Sequence, residues 1–235
     1  MVRARRSRTR NRRLGPLVQP HPHPPLDRQN GTSTLRTGLD RRRVTTIPAD
    51  YGVPQARPHL FIVGAARGET VPDLPEPTHS GSWERRPSGA GAEPHVTTGE
   101  ALADVVATPE AEEVIRGRWG HLLPDIPPGG NYLHYTAEQG HPEPLFDWRS
   151  RYWSFLLKLN PERPSPTIQA QPGPNVGPFH WDNRRLRVPE LRRLFTFPEA
   201  FEFVGKRASV QSQVGNSVPP LLAQRVAERV AAAAK

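Results

Sequence analysis

No cysteine occurs among the 235 residues, so the chain offers neither disulfides nor thiolate metal sites. No window holds 18 consecutive apolar residues, so no membrane-spanning helix is expected. The N-terminus lacks the apolar stretch that a secretory signal peptide requires. Of the nine histidines, His21/His23 and His134/His141 stand closest to ligand spacing, yet no carboxylate or thiolate converges on them, and no metal site is expected. Gly129-Gly130 and Gly89-x-Gly91 neither follow a strand nor open a helix, which excludes a phosphate loop. No internal repeat is visible. Proline at 29 and glycine at 19 are abundant instead, so much of the chain should be loop, in one large domain or two small ones.

The net charge of +9 is uneven: residues 1–43 hold twelve arginines against Asp27 and Asp40, a net of +10, which leaves −1 for the remainder. That leading segment has too little apolar surface to offset its chain entropy and reads as a disordered basic tail. It suits phosphate binding. Its Arg-Pro-rich text also matches a displaced start or a non-native reading frame.

Further along, His59–Val63 is a short apolar run closed by Gly64 and reads as a buried strand. Residues 66–95 read as loop. Thr97 and Glu100 form a capping box for a helix through about Val106, with another short helix over 111–118. Asn131–Leu159 concentrates Tyr132, Tyr135, Phe146, Trp148, Tyr152, Trp153 and Phe155, interleaved with Arg149, Arg151 and Lys158. Within it, Tyr152–Leu159 is apolar enough for a strand or short helix. Pro189, Glu190, Leu191 and Leu194 predict two helical turns ended by Pro198. Gly215-Asn216 predicts a tight turn with φ > 0. Pro219 and Pro220 then start a terminal helix with Leu221, Leu222, Val226 and Val230 on one stripe.

Three strings share an order that is specific. Gln211–Leu222 (QSQVGNSVPPLL) resembles the last conserved block of the DNA (cytosine-5) methyltransferases. Asp50–Gly64 (DYGVPQARPHLFIVG) resembles their eighth block, built on Gln-x-Arg-x-Arg, and Arg184–Pro198 resembles the ninth. The resemblance covers residues 44–235. It implies an incomplete α/β fold: the closing strand and C-terminal helix of a Rossmann-like methyltransferase domain, plus a small, irregular, partly β target-recognition domain. The implied division is a tail over 1–43, the closing strand segment over 44–65, target recognition over 66–200, and a return segment with its helix over 201–235.

The family's reaction has a cysteine add to C6 of a flipped-out cytosine, after which C5 takes the methyl group of S-adenosyl-L-methionine. A thiolate suits this step because it is strongly nucleophilic near neutral pH. This chain has no cysteine and no Phe-x-Gly-x-Gly or Glu-Asn-Val block, so it is expected to be inactive in isolation. The partners implied are double-stranded DNA and a second chain carrying the Phe-x-Gly-x-Gly and Pro-Cys blocks, in the cytoplasm of a prokaryote, near the nucleoid. Arg57 and His59 occupy the two arginine positions beside the target cytosine. The second departs from the pattern, since histidine is shorter and its charge depends on pH. Asn216 and Ser217 match the cofactor-pocket block. Gln55, Arg149, Arg151, Arg184 and Arg185 are the candidate DNA contacts, because bidentate Arg–guanine is the commonest specific contact. Aromatics with interleaved arginines serve equally as core with snorkelling rims. Two alternatives stay open: a non-catalytic DNA-binding module, and a gene fragment without function.

Overall fold

The computed structural model describes residues 32–35, 39–66, 68–81, 91–149 and 151–233. Most of the expected basic tail, residues 1–31, lies outside them. Strand β1 (Thr32–Leu35) pairs antiparallel with β2 (Leu39–Thr46), and β2 pairs antiparallel with β3 (His59–Ala66). The register sets Thr32 opposite Arg42, Leu39 opposite Ala66 and Thr46 opposite His59. This corrects the reading of 1–43 as wholly unstructured, because residues 32–35 and 39–43 lie in strands. The β-branched Val44, Thr45 and Thr46 that end β2 suit a pleated ladder.

Strand β3 is the last in the sheet and pairs on one edge only among the described residues. It is also not the fully buried strand expected, for its burial alternates along its length. Phe61 packs toward a small core of Tyr51, Val53 and Leu222, joined by Leu221 and Val226 of the terminal helix. On the opposite face Leu60 and Ile62 stand 62% and 55% exposed. Successive side chains of a strand point to opposite faces, so these residues share the uncovered side.

Residues 91–216 close on themselves. Helix α1 (Thr98–Leu102) opens with the expected capping box: the Thr97 hydroxyl accepts from the Glu100 N–H while the Glu100 carboxylate accepts from the Thr97 N–H. It stops short of Val106, and the expected helix over 111–118 is a single 3₁₀ turn at Ala111–Glu113. Helix α2 (Val188–Leu194) starts with Pro189 in its first turn and ends in the left-handed Thr196, φ 59°. Ala101, Leu102, Leu159, Ile168, Leu186, Leu191, Leu194, Phe195, Val210 and Val214 form one core. Leu122, Leu123, Ile126, Tyr132, Tyr135, Leu156 and Phe179 form another. Residues 152–159 reach these cores as irregular chain with isolated bridges, Phe155 to Val176 and Lys158 to Phe179, rather than as the strand or helix expected. Two two-residue strands, β4 (His79–Ser80) and β5 (Glu93–Pro94), pair parallel in the region read as loop.

Helix α3 (Arg207–Asn216) replaces the Gly-Asn turn predicted there. Gly215 is needed for close approach, not for positive φ. A Cβ at that position would lie 2.4 Å from the backbone of Ala170, so only glycine lets the helix seat against residues 169–170. Helix α4 (Pro220–Ala233) follows after a short break, as Pro219 and Pro220 predict, with Leu222 fully buried.

Candidate functional site

The two family-like strings separated by most of the chain meet in space. The guanidinium of Arg57 donates through Nη1 to the carbonyl of Gly215 at 2.5 Å. Below that contact Tyr51 and Val53 from the first string enclose Leu222 from the second. Burying a leucine fully is worth roughly 1.5–3 kcal/mol, and the charge-assisted hydrogen bond adds directional specificity. Arg57 sits half-buried and makes no other hydrogen bond among the described residues, so its remaining N–H donors stay available.

Around this junction the chain carries buried polar atoms with no partner: Thr46 Oγ1, His59 Nε2, and both amide atoms of Gln55. Thr46 and His59 face each other across the β2–β3 ladder. Leaving such groups unpaired costs about 1–3 kcal/mol each. Burial, and then the positive charge of Arg57, lower the His59 imidazole below the ordinary histidine value. At neutral pH it is therefore uncharged, unlike the arginine of the resembling pattern. Gln55, proposed from sequence as a DNA contact, is fully buried, because its segment pairs with Ser165. As placed it cannot reach a duplex. Asp50 and His95 form a buried pair at 3.1 Å that sequence reading missed, their positions being remote along the chain.

Asn216 ends α3 with its side chain exposed and only a 3.5 Å contact to Ser212 Oγ. The Ser217 hydroxyl donates to the Val214 carbonyl at 2.7 Å, and its oxygen can still accept. The two groups adjoin at the end of α3, one an exposed amide and the other a hydroxyl oxygen still able to accept.

The basic candidates divide sharply. Arg184 makes a bidentate pair with buried Glu190, at 2.8 and 2.7 Å, and Glu190 also accepts from the Arg187 N–H. Arg185 donates to the Pro174 carbonyl and covers the Phe179 ring. Lys158, the other cation interleaved with the aromatics, is buried and donates to the Leu123 and Ile126 carbonyls and to Asn183 Oδ1. Burial lowers its pKa. These three are engaged within the body of the chain. Arg149 and Arg151 remain. Both are exposed, and among the described residues neither side chain has an acidic partner; Arg149 lies only against the Tyr152 ring, at 6.0 Å. Trp148, Tyr152 and Trp153 beside them are 56%, 52% and 44% exposed, so this part of the aromatic segment is surface. No cluster of three or more metal-ligating side chains occurs among the described residues, and no described helix is long and apolar enough to cross a membrane.

The profile of the family described as C-5 cytosine-specific DNA methylase matches residues 46–232. The chain is 48% identical over 184 residues to the type II methyltransferase M.SacI of Streptomyces achromogenes, covering 74% of this chain and 47% of that protein. It is 34% identical over 187 residues to M.BbvI of Brevibacillus brevis, covering 77% and 46%. With M.NgoFVII of Neisseria gonorrhoeae the identity is 33% over 177 residues, covering 73% and 44%. The chain thus spans about half the length of the relatives it matches. With its two distant sequence blocks joined through Arg57 and Gly215, the chain belongs to the C-5 cytosine-specific DNA methylase family.

Proposed function

We propose that the chain is the DNA-reading and pocket-completing portion of a DNA (cytosine-5) methyltransferase, and that it acts only with a polypeptide that supplies the thiolate. The observation that carries this reading is the Arg57–Gly215 contact, which fixes the cytosine-side block against the cofactor-side block. S-adenosyl-L-methionine, when bound, supplies the methyl group for cytosine C5. Toward that group Asn216 offers its exposed amide and Ser217 its hydroxyl oxygen. Arg57 directs its remaining donors toward the target base, and neutral His59 stands beside it as a weaker polar contact. Arg149 and Arg151, exposed and without an acidic partner among the described residues, reach the duplex from residues 66–200, the target-recognition region.

The missing nucleophile follows from the absence of cysteine. Its carrier would dock on β3, where one edge lacks a ladder partner among the described residues and Leu60 and Ile62 are bare. A free strand edge is a template for pairing, and an uncovered apolar face marks an interface. In this reading the complex works on DNA in a prokaryotic cytoplasm. The test mixes this chain with a polypeptide carrying the Phe-x-Gly-x-Gly and Pro-Cys blocks and follows methyl transfer from labelled S-adenosyl-L-methionine to duplex DNA. Transfer by the mixture and by neither component alone is the expected result. The absence of cysteine also favours a second reading, a module that binds duplex without catalysis. Salt-sensitive binding with no transfer in the mixture would select it.

A further inference from the structure

The aromatic segment of residues 145–149 and 151–155 packs only Phe146 and Phe155 against the second core and leaves its other rings outside. Both limbs are anchored. Phe146 bridges to Thr136 and packs edge-on against Trp119 at 5.1 Å, while Phe155 bridges to Val176 and meets Phe146 at 5.5 Å. The Tyr132 hydroxyl donates to the Arg149 carbonyl at 2.7 Å and accepts from the Arg149 N–H at 2.9 Å. Asn131 Nδ2 donates to the Trp153 carbonyl at 2.9 Å. Between the anchors Trp148, Tyr152 and Trp153 stand roughly half exposed, alongside Arg149 and Arg151, which have no acidic partner among the described residues. Single exposed apolar residues are ordinary, but several large rings on one braced loop mark a contact surface. Bracing reduces the ordering cost on binding.

Resting on the DNA-reading function above, we propose that this loop is a base-stacking element, in which Trp148, Tyr152 and Trp153 pack on bases while Arg149 and Arg151 hold the flanking phosphates. The chemistry favours nucleic acid over a protein partner. The two guanidiniums have no acidic partner among the described residues, whereas Arg184, Arg187 and Arg193 each have one. Ring and guanidinium together are the combination that recognises unstacked bases on a charged backbone.

The experiment titrates the full chain with a mixed-sequence duplex containing one mismatched position, following tryptophan emission and binding at several salt concentrations. Wild type should bind with quenching of its emission. Trp148→Ala and Trp153→Ala should each weaken binding on the order of tenfold and remove part of the quenching. Neither should alter the slope of log affinity against log salt. Arg149→Ala and Arg151→Ala should instead each lower that slope by about one. Trp148→Phe, which keeps a ring, should retain most of the affinity. Melting curves confirm that each variant is folded. Duplex binding with unchanged affinity and quenching in both tryptophan variants would overturn the stacking role while leaving the DNA-reading function intact. A folded wild type that binds no duplex overturns both.

Discussion

Residues 91–216 and the sheet of residues 32–66 are built to different degrees of completeness. The first region closes two apolar cores and pairs its interior charges, as Arg184 does with Glu190. The second ends in a strand with one edge unpaired among the described residues and two bare aliphatic side chains. The difference teaches where the chain is self-sufficient and where it expects company. Substitutions in the closed region should act on stability, and those on the sheet's bare side on assembly.

The sharpest test of the closed region is Glu190→Ala. Removing it leaves the largely buried Arg184 with only the exposed Asp182, 4.0 Å away, which should cost about 3 kcal/mol in urea denaturation. A loss below roughly 1 kcal/mol, the range of exposed pairs, would mean that the cluster is ordinary surface. Acid strikes the same cluster without mutation. Burial, and then Arg184, lower the His180 imidazole below its usual value. The folded protein therefore keeps it neutral where an unfolded chain takes a proton, and stability declines as pH falls below about 6.5. Glu190 adds to this at lower pH. Burial alone would raise its pKa, but bonds from Arg184 and the Arg187 N–H outweigh that and hold it low. Its stabilisation is present above the ordinary carboxylate value and is lost as pH drops below it. Melting temperatures across neutral to acidic buffers should show this decline, and a flat profile would contradict it.

Gly215→Ala should cost about 1–3 kcal/mol, since the new Cβ meets rigid Ala170 backbone rather than a yielding side chain. Thr97→Ala should remove about 1 kcal/mol through loss of the α1 cap, read from the same denaturation curves. At the far end, Leu60→Ser and Ile62→Thr should change the stability of the isolated chain by less than about 0.5 kcal/mol. The same changes should abolish methyl transfer in the reconstituted mixture. A large stability loss there would show that β3 is already covered and would erase the contrast between the two regions.

What sequence revealed depended on how far apart the cooperating residues lie. The Thr97–Glu100 box and the Pro-led starts of α2 and α4 involve neighbours and were legible. The family blocks were legible as text, and their joining through Arg57 and Gly215 gives that text its meaning. The burial of Gln55 was not legible because its bridge partner, Ser165, lies far along the chain. Arg184 and Arg185 look no different in sequence from Arg149 and Arg151. Only the placement of Glu190, Pro174 and Phe179 around them shows which pair is already engaged. The Gly-Asn turn failed because helix α3 gains more by seating against residues 169–170 than a tight turn would offer.

The internal ammonium of Lys158 has a practical use. The chain has three lysines, at 158, 206 and 235, and Lys206 is exposed while Lys158 is sealed beneath two carbonyls and an amide. An amine-acylating reagent should therefore mark Lys206 at once and Lys158 only when the interior opens, so mass spectrometry of one peptide becomes a clock for unfolding.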